Sequence, residues 1–322
     1  MFTKRYFICQ DEKSSKFWDI EFRGAWVKSF YGKIGSIGTF NSKESEDDNV
    51  AEKIIRQKLK SGYVEVEKSY RTSPREFVRN NYPNAIEDSV TFHWLVYREW
   101  YTSRKGSKKR FNAGASQSDF DKFEKLIGYP LPSEFLELYK INNGSLDPSK
   151  EEIVRIESSG LGFRGFDFFD REFFGFDFFT IDEIIKNYEM DRTLDNDPTW
   201  SKWSTSIIPN TVKKQHTNPK WISLFGSQGD YIGIDLDPDF EGKVGQIINF
   251  GSRENNKFLI AKNLKAFLNF LGNYIEDGTF DNDLDIDIES GIFMIQGIIG
   301  GHLIDGLRRV VTEGVNPALS DL

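Results

Sequence analysis

The sequence predicts an α+β protein in two parts: a small antiparallel β-sheet domain with one helix, then a larger α+β domain with an antiparallel sheet and flanking helices. Three observations predict this fold class. The length of 322 residues suggests two domains. Segments near the N-terminus alternate apolar and polar residues, as half-buried strands do. Further along the chain, helical apolar stripes alternate with short apolar strands, and 29 phenylalanines supply ample material for a core.

The first part, residues 1–75, begins with three strand-like segments, KRYFICQ, KFWDIEFRG and GAWVKSFYGKIGSIG. The spacing of the apolar residues then changes from that of a strand to that of a helix. The helical stripe contains Val50, Ala51, Ile54, Ile55 and Leu59. Acidic residues crowd the start of this stripe and basic residues its end, which suits the helix dipole. We expect Gly62 to end the helix and the segment YVEVE to return to a strand.

Residues 76–117 are predicted to connect the two parts, and their apolar residues follow neither a strand nor a helix period. The segment TFHWLVYREWY within them is aromatic, so we expect it to pack on a neighbouring element. Residues 102–118 are polar and basic and contain glycine and serine, which makes them the best candidate for a linker.

The second part, residues 118–275, opens with a predicted capping box of Ser118 and Asp121. One helix face then contains Phe120, Phe123, Leu126 and Ile127, and Gly128 is expected to end that helix. A second short helix is expected to start at Pro132 and Ser133 and to stop at Asn143 and Gly144, and a third is capped by Thr180 and Glu183.

Between and after these helices the pattern predicts strands. The unit Gly-Phe-Asp-Phe-Phe occurs at residues 165–169 and again at 175–179, which favours a β-hairpin. WISLF, DYIGIDL and VGQIINF are predicted strands separated by turn-like segments. A closing helix is predicted from the stripe Leu264, Phe267, Leu268, Leu271 and Ile275. Residues 276–322 are interpreted as an acidic C-terminal extension.

The charge is divided unevenly along the chain. Its net value is −8, made up of +4 for residues 1–75, +3 for residues 76–115 and −15 for residues 116–322. A basic front joined to a strongly acidic back favours two different partners. The single cysteine, Cys9, excludes an intramolecular disulfide and a cysteine metal cluster, and it fits a reducing compartment.

No membrane contact is expected. The first 15 residues lack the apolar stretch of a signal peptide. His302 and Asp305 interrupt the apolar residues 291–307, so we expect these residues in a core rather than in a membrane. We therefore expect a cytoplasmic protein.

Three motifs that suggest a cofactor or metal fail on spacing. Gly32, Gly35 and Gly38 match neither a Walker loop nor a dinucleotide fingerprint, so we interpret them as strand glycines in close packing. His93, His216 and His302 are far apart in sequence and are expected in the core or on the surface. Residues 281–289 resemble the start of an EF-hand loop but lack its glycine and its last glutamate, which favours a solvated acidic strand or loop. We expect no cofactor, no metal and no catalytic residues.

The N-terminal part resembles a WGR domain. The motif occurs here as Tyr31-Gly32-Lys33-Ile34-Gly35 followed by Gly38, and the helix after it ends in Lys60, Gly62 and Tyr63. Tyrosine and lysine replace the first and third residues for which the family is named. In poly(ADP-ribose) polymerases such domains help to bind DNA ends. The resemblance implies that Tyr31 stacks and that Lys33 meets a phosphate.

Residues 116–275 resemble the SUKH superfamily, which includes the Smi/Knr regulators. The resemblance rests on the order of FEKLIGYPLPSEFLELYKINNG, FDFFTIDEII, WISLFGSQGDYIGIDLDPDFEGKVGQIINF and LIAKNLKAFLNFL. It implies an α+β fold without catalytic residues. Many bacterial members are immunity proteins that block toxins, frequently nucleases, and others are regulators or scaffolds.

These observations support one main function and one alternative. The main hypothesis is a non-enzymatic immunity protein that binds a basic, nuclease-type toxin through an acidic surface. We expect this surface to contain Asp230, Tyr231, Asp235, Asp237 and Asp239, although the same aspartates also fit a simple turn. The alternative is a regulator or sensor that binds nucleic acid through residues 1–115, with Lys28, Tyr31 and Lys33 in contact. An enzyme is disfavoured because no polar pocket is evident in the sequence.

Overall fold

The computed structural model of the chain describes residues 2–12, 14–104, 110–146, 176–193, 202–227, 229–252, 254–278, 284–287 and 292–295, together with residues 304, 307, 308, 311 and 312. Over these residues the chain is α+β, as predicted, with a five-stranded antiparallel sheet first and a second antiparallel sheet with helices after it.

The first sheet has the strand order β4-β3-β2-β1-β5, and all its neighbours are antiparallel. Its elements are β1 (Thr3–Asp11), β2 (Ser14–Arg23), β3 (Trp26–Lys33), β4 (Thr39–Glu44), α1 (Val50–Lys60) and β5 (Val64–Val66). Helix α1 covers one face, where Ala51 and Ile55 pack with Phe7, Trp18 and Ile20. The predicted strands and helix are confirmed, except that Leu59 lies outside the buried stripe and is 44% exposed.

Two of the three strand glycines allow a close approach at the end of this sheet. Gly38 has a φ of +77°, and a Cβ there would lie 2.4 Å from the ring of Phe17. A Cβ on Gly32 would lie 3.0 Å from the Cα of Gly38. The interpretation as packing residues is therefore confirmed for Gly32 and Gly38 but is wrong for Gly35, which has a φ of +79° in the turn after β3 and has no atom within 4 Å of an added Cβ.

The other face of the first sheet packs on the rest of the molecule. Phe17, Phe30 and Phe40 belong to the same buried cluster as Trp100 and Tyr101 of α3. The segment after β5 forms α2 (Pro74–Asn81) and α3 (Val90–Thr102). Helix α3 is buried on most sides, and it packs against the closing helix of the second part. The expectation that this aromatic segment packs on a neighbour is confirmed.

The second sheet has the order β14-β12-β11-β10-β8 and is antiparallel throughout. Its strands are β8 (Asp177–Phe178), β10 (Trp221–Ser227), β11 (Asp230–Asp235), β12 (Gln246–Gly251) and β14 (Leu259–Ala261). The three strands predicted from WISLF, DYIGIDL and VGQIINF are confirmed. Shorter strands are β6 (Arg110–Phe111), β7 (Ser145–Leu146), β9 (Thr205–Ser206) and β13 (Asn256–Lys257).

The helices of this part are α4 (Gln117–Ile127), α5 (Ser133–Ile141), α6 (Ile181–Arg192) and α7 (Leu264–Glu276). The predicted closing helix is confirmed, and all five residues of its stripe are buried. The capping box of Thr180 and Glu183 is also confirmed. The predicted stop at Asn143 and Gly144 directly follows Asn142, the C-cap of α5, and the Asn143 Oδ1 accepts from the Ile181 N–H at 2.8 Å.

The predicted cap of α4 was wrong by two residues. The capping box is formed by Ser116 and Asp119, not by Ser118 and Asp121. The helix therefore begins at Gln117, and Leu126 is 39% exposed rather than on the buried face with Phe120, Phe123 and Ile127. Both serines have an aspartate three residues later, so the sequence pattern alone does not choose between them.

The C-terminal region adds a hairpin of β15 (Leu284–Asp287) and β16 (Ile292–Ile295). Ile304 and Leu307 lie in the main core, as expected for that part of the apolar stretch. In the part of the chain that the structure describes, no helix is long and apolar enough to cross a membrane. The first Gly-Phe-Asp-Phe-Phe unit, and with it the predicted hairpin between the two copies, lies outside the described residues.

Candidate functional site

Two depressions lie side by side on the face of the first sheet that carries α1, and Tyr31 forms part of both walls. The lower depression has a volume of about 530 Å³ and is lined by Ser14, Ser15, Lys16, Tyr31, Gly32, Lys33 and Tyr63. The upper depression has a volume of about 230 Å³ and is lined by Trp18, Val27, Ser29, Tyr31, Asn41, Lys43, Ile54 and Lys58. We call the two together the Tyr31 groove.

The strand register brings these side chains to one face. Lys16 lies directly opposite Lys33, and Trp18 lies opposite Tyr31. Because side chains alternate between the faces of a strand, residues two apart share a face. Helix α1 packs over the buried residues of β1 and β2, whereas Tyr31 remains 36% exposed. The groove therefore lies between α1 and the outer strands β3 and β4.

Four lysines surround Tyr31: Lys16, Lys33, Lys43 and Lys58. Among the residues that the structure describes, none of these four forms an ion pair with a carboxylate. Other cations of the same domain are paired, since Lys4 of β1 contacts Glu21 at 2.8 Å and Lys53 of α1 contacts Asp47 at 2.6 Å. Like charges directly across an antiparallel pair, as for Lys16 and Lys33, are destabilising. The groove is thus a concave surface with uncompensated positive charge.

Lys58 is the most buried of the four. Its Nζ lies 5.5 Å from the centre of the Trp18 ring and 5.0 Å from that of the Tyr63 ring. Burial, and then the charge of Lys16, lower the pKa of the Lys58 ammonium. Both effects disfavour the charged form of Lys58, so an anion bound beside it would stabilise the ammonium.

The structure brings Tyr31 and Lys33 together and separates Lys28 from them. Lys28 lies on the opposite face of β3, is 5% exposed, and has its Nζ 5.0 Å from the centre of the Phe2 ring. The reason is strand alternation, because residue 28 is an odd number of positions from residues 31 and 33. Sequence reasoning missed Lys16, Lys43 and Lys58, whose place in the groove depends on strand pairing and on the position of α1.

Of the five residues expected at a protein-binding surface, three lie in β11 and two, Asp237 and Asp239, lie in the turn after it. Asp235 is fully buried, and its carboxylate accepts from the Trp221 Nε1 at 3.0 Å and from the Gln246 Nε2 at 2.9 Å. Burial raises the pKa of Asp235 to about 6. Tyr231 is also buried, between the rings of Phe179 and Phe250. These two residues therefore support the sheet and do not face solvent.

The remaining three differ in exposure. Asp230 is 9% exposed. Asp237 is half-buried and pairs with the Lys213 Nζ at 2.7 Å. Asp239 is half-buried, and its Oδ1 accepts from the backbone N–H of Phe240 at 2.9 Å. Asp237 thus links the turn to the segment before β10, whereas the described contact of the Asp239 carboxylate is local to the turn.

The same turn exposes two apolar residues that sequence reasoning passed over. Phe240 is 77% exposed and Val244 is 71% exposed. The loop that carries them is fixed to the segment before β10, because the Glu241 N–H donates to the Asn210 O at 2.9 Å. The signal in the sequence was the presence of Phe and Val inside the polar turn DPDFEGKVG.

Titratable residues do not cluster into a metal site in the described part of the chain. No group of three or more His, Cys, Asp or Glu residues there could hold a metal ion. His93 and His216 are both buried, at 4% and 3% exposure, which agrees with core histidines. His302 lies outside the described residues.

Comparisons with known proteins agree with this architecture. The family model of the WGR domain matches residues 3–70, and that of the SMI1/KNR4 family (SUKH-1) matches residues 114–269. The Tyr31 groove lies within the first of these ranges and the Phe240 turn within the second.

Three curated relatives match shorter stretches. The cell wall assembly regulator SMI1 of Saccharomyces cerevisiae is 42% identical over 83 residues, 24% of this chain and 16% of that protein. The Escherichia coli proteins YfeS and YehF are 46% identical over 66 residues and 38% identical over 78 residues. Those two matches cover 19% and 23% of this chain, and 27% and 28% of YfeS and YehF.

The chain thus spans less than a third of the length of any of these three relatives. Neither matched family is known for catalysis. The strands, the groove and the two matched ranges lead to one assignment. The chain joins a WGR domain, residues 3–70, to a domain of the SMI1/KNR4 family (SUKH-1), residues 114–269.

Proposed function

We propose that the chain is a non-enzymatic binding protein whose WGR domain binds nucleic acid in the Tyr31 groove. The observation that carries the proposal is the set of four lysines around an exposed tyrosine, none of which pairs with a carboxylate among the described residues. Phosphates would neutralise these charges and relieve the repulsion between Lys16 and Lys33.

The charge distribution along the chain supports the WGR domain as the part that contacts nucleic acid. Residues 1–115 carry a net charge of +7, whereas residues 116–322 carry −15. Nucleic acid approaching the acidic part is repelled, so the field of the whole chain would orient the encounter toward the WGR domain. The modest positive charge predicts weak, strongly salt-dependent binding rather than the high affinity of a dedicated DNA-binding domain.

The test is fluorescence anisotropy of a labelled 20-nucleotide DNA with the full chain, in 50 to 300 mM salt. We expect binding that weakens as salt rises, and a loss of affinity when Lys33 is changed to Gln. The matched control is Lys53→Gln, which removes the same charge from an exposed lysine that pairs with Asp47. Absence of salt-sensitive binding at micromolar protein would contradict the proposal.

A second candidate function is the neutralisation of a basic, nuclease-type toxin by the SUKH domain. It is supported by the −15 charge of residues 116–322 and by the exposed Phe240 and Val244 on an anchored turn. Exposed apolar side chains beside the carboxylates of Asp239 and Glu241 are suited to a partner with an apolar socket and a cationic rim.

This second function can be tested by placing a photo-crosslinking amino acid at position 240 in cells that contain the natural partners. The captured protein is then purified and titrated with the wild-type chain and with Phe240→Ser. We expect the substitution to weaken binding at least tenfold and the wild-type chain to inhibit the partner's nuclease activity. A partner that is bound equally well by Phe240→Ser, or that is not inhibited, would exclude this function for the turn.

A further inference from the structure

We infer that the upper depression of the Tyr31 groove holds one unpaired nucleobase, stacked on Tyr31 and hydrogen-bonded by the amide of Asn41. The inference rests on the proposed nucleic-acid binding and adds the class of ligand: single-stranded nucleic acid in preference to duplex. It also gives two residues of the groove distinct roles, one in stacking and one in reading the edge of the base.

The first observation is an unsatisfied amide. The Asn41 Oδ1 is buried and has no hydrogen-bond partner in the described part of the chain. A buried acceptor without a partner costs about 1–3 kcal/mol, and most such groups in folded proteins are satisfied. Asn41 also lines the upper depression, and a rotation of its amide about χ2 would present this oxygen to a ligand there.

The second observation is the character of the walls. Trp18, Val27 and Ile54 make the depression largely apolar, while Tyr31 contributes an aromatic side chain at its border with the lower depression. A nucleobase has the matching chemistry: two apolar faces for stacking and an edge of donors and acceptors. The amide of asparagine pairs with the amino group and ring nitrogen of adenine, in which case the Oδ1 accepts and the Nδ2 donates.

The third observation is the position of Tyr31 and Asn41 on the sheet. Tyr31 lies opposite Thr39, and Asn41 is two residues further along β4, so the two are diagonal neighbours on one face. Diagonal neighbours are within reach of an aromatic side chain. One base can therefore stack on Tyr31 while its edge meets Asn41.

The lysines are placed to hold the backbone on either side of this base. Lys43 and Lys58 line the upper depression, and Lys16 and Lys33 line the lower one. A strand that runs from one depression to the other would place a phosphate near each pair. A duplex does not offer this arrangement, because its internal bases are already stacked on both faces, and this is the reason for the expected preference.

The experiment uses the full chain and three fluorescein-labelled probes: a 12-nucleotide oligo(dA), the matching oligo(dT) and their duplex. We expect both single strands to bind at least fivefold more tightly than the duplex. Tyr31→Ala should weaken single-strand binding by about 5- to 160-fold, the range of a lost base stack of about 1–3 kcal/mol. Tyr31→Phe, which keeps the aromatic ring, should retain most of the affinity. This control would show that a substitution at position 31 does not by itself unfold the site.

Asn41→Leu tests the edge contact, because leucine keeps the size of the side chain and removes the amide. We expect it to weaken oligo(dA) at least threefold more than oligo(dT). The control is Asn81→Leu, which removes an exposed amide that bonds only to the Phe77 carbonyl in the described structure and lies in α2, outside the groove. Asn81→Leu should leave both affinities unchanged.

Two results separate the inference from the proposed function. Equal affinity for duplex and single strand, with equal losses for both in Tyr31→Ala, would overturn the inference and leave the nucleic-acid proposal standing. The same holds if Asn41→Leu weakens oligo(dA) and oligo(dT) alike. Absence of salt-sensitive binding to all three probes would overturn both.

Discussion

The Tyr31 groove and the turn after β11 use charge in opposite ways. In the groove, Lys16 and Lys33 lie directly opposite each other on β2 and β3, and neither forms an ion pair with a carboxylate among the described residues. At the end of β11, where this turn begins, the carboxylate of Asp235 is fully buried and accepts hydrogen bonds from Trp221 and Gln246. The comparison teaches that the net charge of a region, +4 against −15, does not locate its binding surface. What matters is which charges are already paired within the fold.

The largest expected effect comes from removing the buried carboxylate of Asp235. Asp235→Ala leaves the Trp221 N–H and the Gln246 amide without their buried acceptor, so we expect a loss of about 3 kcal/mol in the free energy of unfolding. Urea denaturation measures it. Asp239→Ala is the matched control on the same turn and should cost less than about 0.5 kcal/mol. A small effect at Asp235 would show that its contacts contribute little.

A second prediction concerns the buried acid on the reverse face of the WGR sheet. Burial raises the pKa of Asp19, which is 6% exposed, to about 6, above the usual value near 4. The folded state then binds a proton more tightly than the unfolded chain. The stability that Asp19 contributes is therefore fully present below pH 4 and is lost as the pH rises from 4 to 6.

Asp19→Asn should remove this part of the pH dependence. We expect the difference in free energy of unfolding between the wild type and Asp19→Asn to change by about 2 kcal/mol between pH 4 and pH 6.5. Urea titrations at four pH values measure it. A difference that stays constant with pH would mean that Asp19 titrates alike in both states.

The third prediction separates binding from stability in the groove. Lys16→Gln removes the repulsion with Lys33, so we expect the domain to gain about 0.3 kcal/mol while nucleic-acid affinity falls. Lys4→Gln is the matched control, because Lys4 pairs with Glu21 and lies outside the groove. Parallel losses of affinity in the two variants would indicate a general charge effect rather than a site.

The smallest expected effect is at the exposed side of the turn. Phe240→Ser should change the free energy of unfolding by less than about 0.5 kcal/mol, because Phe240 is 77% exposed and its loop is held by backbone contacts. Thermal denaturation checks it. A larger loss would mean that Phe240 supports the fold and is not available to a partner.

Much of the fold followed from periodicity. Helices α1, α6 and α7 and most strands of both sheets were predicted from their apolar patterns, whereas strands β4 and β14 were not predicted. Helix α3 was missed as a helix because it is buried on most sides and therefore shows no amphipathic period. The cap of α4 was misplaced because two serines had an aspartate at the required spacing.

The candidate sites were predictable only in part. Tyr31 and Lys33 came from a motif, but Lys16 and Lys43 reach the groove through strand register, which the sequence did not specify. Lys28 was grouped with them although strand alternation places it on the other face. The burial of Asp235 depends on Trp221 and Gln246, which come from neighbouring strands. Residue type and spacing do not reveal such pairings.

The most direct test of the central claim is the salt dependence of single-stranded DNA binding by the wild type and by Lys16→Gln/Lys33→Gln. Each phosphate contact in a single strand contributes about 0.7 to the slope of log affinity against log salt. We therefore expect the double variant to bind more weakly and its slope to be about 1.4 smaller in magnitude. An unchanged slope, or no salt-sensitive binding by the wild type, would contradict the account.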